Sequence, residues 1–147
     1  MDSKKIFMST RSIGNIGEDI ACKFLEKKGF IITARNYRKK WGEIDIIARE
    51  SSDVSRATSA TLHFFEVKSV TVQRNHPNGH EPEENVHNFK LRQIRRMIQT
   101  YMAEFGQRSS EVSGRGAESE FQFHVLCVYM DKGTRLAHVK WLKNLVL

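Results

Sequence analysis

Cysteine is nearly absent from this sequence: Cys22 and Cys127 are the only two among 147 residues. They form no Cys-x-x-Cys pair, which excludes the usual zinc and dithiol spacings, and each stands inside an apolar periodic stretch. Both are expected to be reduced and to pack as small hydrophobes. Long apolar runs are missing as well. No stretch approaches the length that spans a bilayer, and the segment from Met1 to Met8 has neither a sustained apolar core nor a small-residue cleavage site. These absences point to a soluble, unexported, cytoplasmic protein that makes no membrane contact. Proline is confined to Pro77 and Pro82, in a polar segment over 73–84 that reads as a surface loop. His76 and His80 lie there with Pro77 and Gly79 between them, so no helix presents them together as metal ligands.

With 39% apolar residues the chain can bury the core of one ordinary domain without staples. That domain is expected over residues 12–147, while residues 1–11 show no clean period and are expected to be flexible. The 24 basic residues outnumber the 17 acidic ones, for a formal charge of +7. Such a balance favours a polyanionic partner, nucleic acid before an acidic membrane, because no segment joins a basic face to exposed Trp and Phe.

From Ser12 onward Ile13, Ile16, Gly17, Ile20, Ala21, Phe24 and Leu25 recur at three and four, which predicts an amphipathic helix over 12–28. Ser12 is its expected N-cap and Gly29 its stop. A β-branched, aromatic stretch from Phe30 to Tyr37 predicts the first strand, ending in the basic run Arg38-Lys39-Lys40 and Trp41. Gly42 opens a second strand through Ala48, and a polar loop follows over 50–60. The stretch 61–70 is apolar on both faces apart from His63, Glu66 and Lys68, the mark of a central covered strand. A second helix is expected over 85–105, with Lys90, Arg92, Arg95 and Arg96 in its first half. After a polar loop over 107–120 come a strand over 121–130, a short strand over 135–140, and a tail or short helix from Trp141 to Leu147. The order helix, three strands, helix, two strands is that of an α/β domain with mixed strand directions.

The chemistry concentrates in the second and third strands. Side chains alternate along a strand, so Glu66 and Lys68 point the same way, and Asp45 on a neighbouring strand can meet them. An ion pair in a covered strand needs a reason to be there. Asp45 and Glu66 offer oxygen ligands for a hard cation, Mg²⁺ being the natural choice with Mn²⁺ able to substitute. Lys68 would hold or help deprotonate the attacking water. Glu18, at the edge of the first helix's apolar stripe, can lean over the sheet as a further acid. Arg38, Lys39, Lys40, Lys90 and Arg92 are the candidate phosphate contacts, and Trp41 a stacking partner for a base or sugar.

Gly17-Glu18, Arg35-Asn36-Tyr37-Arg38, the stretch Gly42 to Ala48, Phe65-Glu66-Val67-Lys68-Ser69 and Lys90 closely resemble the YraN-like family of small bacterial proteins. That family belongs to the restriction-endonuclease-like, PD-(D/E)XK superfamily and is similar to archaeal Holliday junction resolvases. The resemblance runs from about Gly14 to the C-terminus. It implies a restriction-endonuclease-like three-layer sandwich, a central mixed β-sheet flanked by helices. It also implies catalytic roles for Glu18, Asp45, Glu66 and Lys68, and a phosphate or active-site contact for Lys90. Glu43 also matches, as a helper ligand or a structural residue. Two positions depart: Gln122-Phe123-His124 stands where the family often has Arg-Phe-Asp, and Val70 where it often has Arg.

The resemblance implies a Mg²⁺-dependent endonuclease acting on DNA, branched DNA included, with a homodimer required for symmetric junction cutting. The alternative is a nucleic-acid-binding module that keeps the nuclease fold without cleaving. No residue selects for or against a 2′-hydroxyl, so an RNA nuclease stays open.

Overall fold

A computed structural model describes residues 10–51, 61–72, 88–105 and 120–147. Its elements run α1 (Thr10–Lys27), β1 (Phe30–Lys39), β2 (Gly42–Glu50), β3 (Leu62–Val72), α2 (Asn88–Phe105), β4 (Phe121–Asp131) and β5 (Ala137–Leu142). The five strands form one mixed sheet in the order β1-β2-β3-β4-β5. β1, β2 and β3 form an antiparallel meander, β4 lies parallel to β3 after the α2 connection, and β5 returns antiparallel on β4. The α/β class and the mixed sheet expected from the sequence are both present.

Alternation along the strands divides the core in two. Phe64, Phe123, Val125 and Cys127 pack with Ile94, Met97, Ile98 and Tyr101 of α2. Their neighbours Phe65, Leu126 and Val128 pack instead with Ala21, Cys22 and Leu25 of α1. Each helix therefore joins a different half of the core, and the uninterrupted apolar reading of β3 follows from its contributing to both halves. Cys22 and Cys127 are buried, one in each half of the core.

Gly29 ends α1 as expected. Its φ of 90° is open to glycine at little cost, and its N–H donates to the Glu26 carbonyl at 3.0 Å. The other end of α1 differs: Thr10 is already helical, so Ser12 lies inside the helix and is not its cap. Of the segment expected to be flexible, Thr10 and Arg11 belong to α1 and the rest lies outside the described residues. The expected loops lie almost wholly outside them too, as do His76 and His80.

At the C-terminal end the sequence reading is two residues early. Arg135 takes φ 57° and donates its N–H to the Asp131 carbonyl, so it belongs to the turn, and β5 begins at Ala137. Trp141 and Leu142 complete β5, and residues 143–147 form no helix. Asn144 takes φ 51°, and the Leu145 N–H donates to the Phe123 carbonyl at 2.8 Å. Leu145 and Leu147 then lie against the α2 half of the core.

Candidate active site

The β2–β3 ladder pairs Ala48 with His63, Ile47 with Phe64 and Ile46 with Phe65, and then stops. Continued, it would set Asp45 opposite Glu66. Instead Asp45 Oδ2 accepts the Val67 N–H at 2.7 Å, so a side chain takes a donor that the parted backbone has left. The alternation of β2 also breaks here. Ile44 and Ile47 face the α2 half of the core, whereas Ile46 and Ala48 face the α1 half. On the other side of β2, Asn36, with φ 51°, falls opposite Asp45 between the pairs Arg35↔Ile46 and Tyr37↔Ile44. Asp45 thus stands at a fork in the sheet.

Asp45 and Glu66 are both buried, 5% and 6% exposed. Burial pushes the Asp45 carboxyl up to about 7, the Glu66 charge pushes the same way, and the Val67 hydrogen bond offsets part of the rise. Glu66 Oε1 lies 3.3 Å from Lys68 Nζ and is also paired with Lys90 Nζ, so one carboxylate oxygen sits between two ammonium groups. Burial and the neighbouring Lys90 lower the pKa of Lys68, against the pull of Glu66. Burial also opposes charge on Lys90, but its bond to Glu66 prevails and raises its pKa.

Glu18 is mostly covered, its side chain 16% exposed, and stands 3.7 Å from the Arg35 guanidinium, which also binds Asp19 at 2.8 Å. It is near enough to Asp45 to add to the rise in that carboxyl's pKa. Among the described residues, no three of His, Cys, Asp and Glu form a group that could hold an ion unaided. The structure therefore brings Asp45, Glu66, Lys68 and Lys90 together and leaves Glu18 at their margin. Arg35, which holds Glu18 from β1, appears in the sequence reading only within the resemblance motif and without a role, because its spacing in the strand gives no signal for one.

The basic candidates divide. Arg38 is paired with Glu43 at 2.8 Å, and Lys39 with Glu104 of α2 at 2.6 Å. Tyr37 donates to the same Glu104 carboxylate at 3.0 Å. Lys40 and Arg92 are exposed. Trp41 is less free than expected: the Arg96 guanidinium lies 4.5 Å from its ring centre, and the ring packs against the α2 half of the core. It anchors the β1–β2 turn to α2, beside the close contact of Gly42 with Met97. Arg96 of α2 consequently lies beside the turn. Among the described residues, no helix is long and apolar enough to cross a membrane.

The family described as Uncharacterised protein family UPF0102 matches residues 17–128, a span that holds Glu18, the fork and both lysines. The chain belongs to the UPF0102 family. A UPF0102 protein of Campylobacter jejuni subsp. jejuni is 36% identical to it over 118 residues, 80% of this chain and 84% of the relative. UPF0102 proteins of Campylobacter lari and Caldicellulosiruptor saccharolyticus are 33% and 32% identical, over 91% and 93% of this chain and 98% of each relative. The UPF0102 match begins at Gly17, one residue before the helix acid, and ends within β4.

Proposed function

We propose that this UPF0102 protein is a Mg²⁺-dependent endonuclease of restriction-endonuclease-like, three-layer architecture that hydrolyses phosphodiester bonds in DNA, branched DNA included. The observation that carries the reading is the meeting of Asp45, Glu66 and Lys68 at the β2–β3 fork. Clustered, perturbed ionisable groups at a break in a covered sheet are where chemistry is expected.

The donor set fits a hard divalent cation. Two buried carboxylates of like charge share the fork, and a dication there would relieve both the burial and the repulsion that raise Asp45. Two protein carboxylates also suit Mg²⁺, which completes its shell with water and substrate phosphate. Asp45 and Glu66 would hold the ion, and Mn²⁺ would substitute. When bound, it supplies charge neutralisation at the phosphate. Lys68, whose pKa is lowered by burial and by Lys90, orients the attacking water and, once it has given its own proton to solvent, accepts one from that water. Water oxygen joins phosphorus, the P–O bond to the leaving group breaks, and a proton ends on the departing oxygen. Lys90 holds Glu66 and faces the phosphate, while Glu18 adds negative potential beside Asp45.

A second reading, a binding module that does not cleave, is favoured by the two ammonium groups that already neutralise Glu66. Cleavage of labelled four-way junction, duplex, flapped and single-stranded DNA, and of RNA, separates the two. The assays compare Mg²⁺, Mn²⁺ and EDTA, in wild type, Asp45→Asn and Lys68→Ala. The enzyme reading requires metal-dependent cutting that both substitutions remove; binding without cutting in all three proteins establishes the module.

Either reading gives the β1–β2 turn a phosphate-tracking role. Replacing Arg38, Lys39 and Lys40 together by alanine is expected to weaken DNA binding roughly tenfold near 0.1 M salt and to flatten the log–log salt slope by about 1 to 2. The slope falls short of three full contacts because Arg38 and Lys39 already have carboxylate partners. Fluorescence anisotropy across a salt series measures it, and an unchanged slope would remove the turn from the interface.

A further inference from the structure

Gly17 is buried where α1 crosses β3. A Cβ built on it would overlap Ser69 Oγ outright and stand 2.8 Å from Ser69 Cβ, well inside ordinary van der Waals separation. Gly14, one turn earlier in the same helix, has nothing within 4 Å of such an atom. The need for glycine is therefore local to one contact and is not a property of the helix. Among the described residues Ser69 Oγ, itself buried, has no hydrogen-bond partner, so the hydroxyl is pressed beneath the helix at the expense of its hydration.

One charged residue adjoins this contact on each side. Glu18 succeeds Gly17 in α1, and Lys68 precedes Ser69 in β3. Because helix and strand are each stiff over a single residue step, the separation at Gly17–Ser69 fixes how far the Glu18 carboxylate stands from the fork. Arg35 holds Glu18 and Asp19 from β1 at 3.7 and 2.8 Å, so the helix is tethered at one side and gauged at the other.

We infer that the Gly17–Ser69 contact seats α1 on β3 and thereby sets the distance of Glu18 from Asp45, which makes Gly17 and Ser69 positioning residues of the acid cluster. What that cluster does rests on the nuclease reading; where Glu18 is placed does not. A Cβ at residue 17 forces α1 away by roughly 1 Å, because close-packed interiors leave no slack to absorb it. Misplacement on that scale is enough to cost about a hundredfold in turnover.

The test compares Gly17→Ala, Ser69→Gly, the double variant, Ser69→Val and Glu18→Gln by crystal structure and by cleavage kinetics with Mn²⁺. Gly17→Ala is expected to move the Glu18 carboxylate by about 1 Å from Asp45 and to lower kcat about a hundredfold at unchanged KM. Adding Ser69→Gly removes the obstructing atoms and is expected to restore both the position and at least tenfold of the rate. The same addition to Glu18→Gln restores nothing. Ser69→Val presses on the helix from the strand side and reproduces the shift, which keeps the test open if Gly17→Ala does not fold. Glu18 unmoved in both obstructed variants, or no recovery on adding Ser69→Gly, overturns the inference. Should wild type cut no substrate, the nuclease reading falls and the crystal structures alone decide the placement.

Discussion

Asp45→Asn is expected to yield a protein that is more stable than wild type at pH 8 and has lost metal-dependent cleavage by about 10³ or more. The two effects share one origin. Asp45 is 5% exposed beside the buried Glu66, and burial together with that second charge raises its pKa from 3.8 to about 7. Keeping the carboxylate ionised at pH 8 thus costs the native state free energy that the unfolded chain does not bear. Asparagine keeps an oxygen for the Val67 N–H and turns an amide donor toward Glu66 in place of a repelling charge. The expected gain is on the order of 2 kcal/mol, less than the full linkage value because the amide is itself buried. The loss of cleavage follows because the amide is a poor ligand for a hard cation. Lys68→Ala is expected to lose about 10² to 10⁴ in kcat while Glu66 keeps its Lys90 partner, so its loss should appear in turnover before metal affinity. Urea unfolding at pH 8 and the cleavage assay check the pair of effects. A less stable Asp45→Asn protein would show that the acid is well solvated by its neighbours, and retained cutting in it would end the nuclease reading.

The elements of this fold are legible because each carries a strong local signal. The three-and-four spacing from Ile13 to Leu25, the Gly29 stop and the doubly apolar β3 all reappear as α1, its end and the covered strand of the sheet. The partners within the site were legible in part. Glu66 and Lys68 share a face by strand alternation alone, and they do pair. The fork was not legible, because it depends on where β2 leaves β3, and nothing in the stretch Gly42 to Ala48 breaks its strand pattern. For the same reason the sequence offered Trp41 as a stacking platform: its ring is claimed by Arg96, 55 positions later in the chain. Arg35 and Ser69 enter the sequence reading only as part of the resemblance and without a role, because their importance lies in what α1 presses against them. The departure at Gln122-Phe123-His124 was visible as a missing acid, and its structural meaning lies elsewhere, in a pair of buried histidines.

His124 is 2% exposed and stacks on His63, the rings 13° from parallel, and on Phe65. Its Nδ1 accepts the Asn144 N–H at 2.9 Å, so the neutral ring carries its proton on Nε2. That Nε2–H donates to His63 Nδ1 at 3.0 Å, and His63 Nε2 stands 3.8 Å from Glu50 at the surface. Charging His124 would require a second proton at Nδ1, against the Asn144 donor. Burial, then the neighbouring His63 and Lys143, bring its pKa down to about 4. A histidine depressed in this way leaves stability intact above pH 6.5 and withdraws it as pH falls toward 4, because only the unfolded chain then takes up the proton. The expected loss is about 3 kcal/mol. Asp45 acts with the opposite sign over the same window: its raised pKa makes the native state bind a proton first, so stability is gained as pH falls from 7 toward 3.8. Wild type is therefore expected to change little in stability between pH 6.5 and 4. Asp45→Asn removes the compensating group and should expose the full loss to His124 over that interval. Adding His124→Asn, whose side-chain oxygen can still accept the Asn144 N–H, should flatten the profile again. Urea unfolding followed by circular dichroism at half-unit pH steps measures all three. A flat profile in Asp45→Asn alone would mean that the histidine pair accepts a proton inside the fold, and that the Asn144 contact gives way.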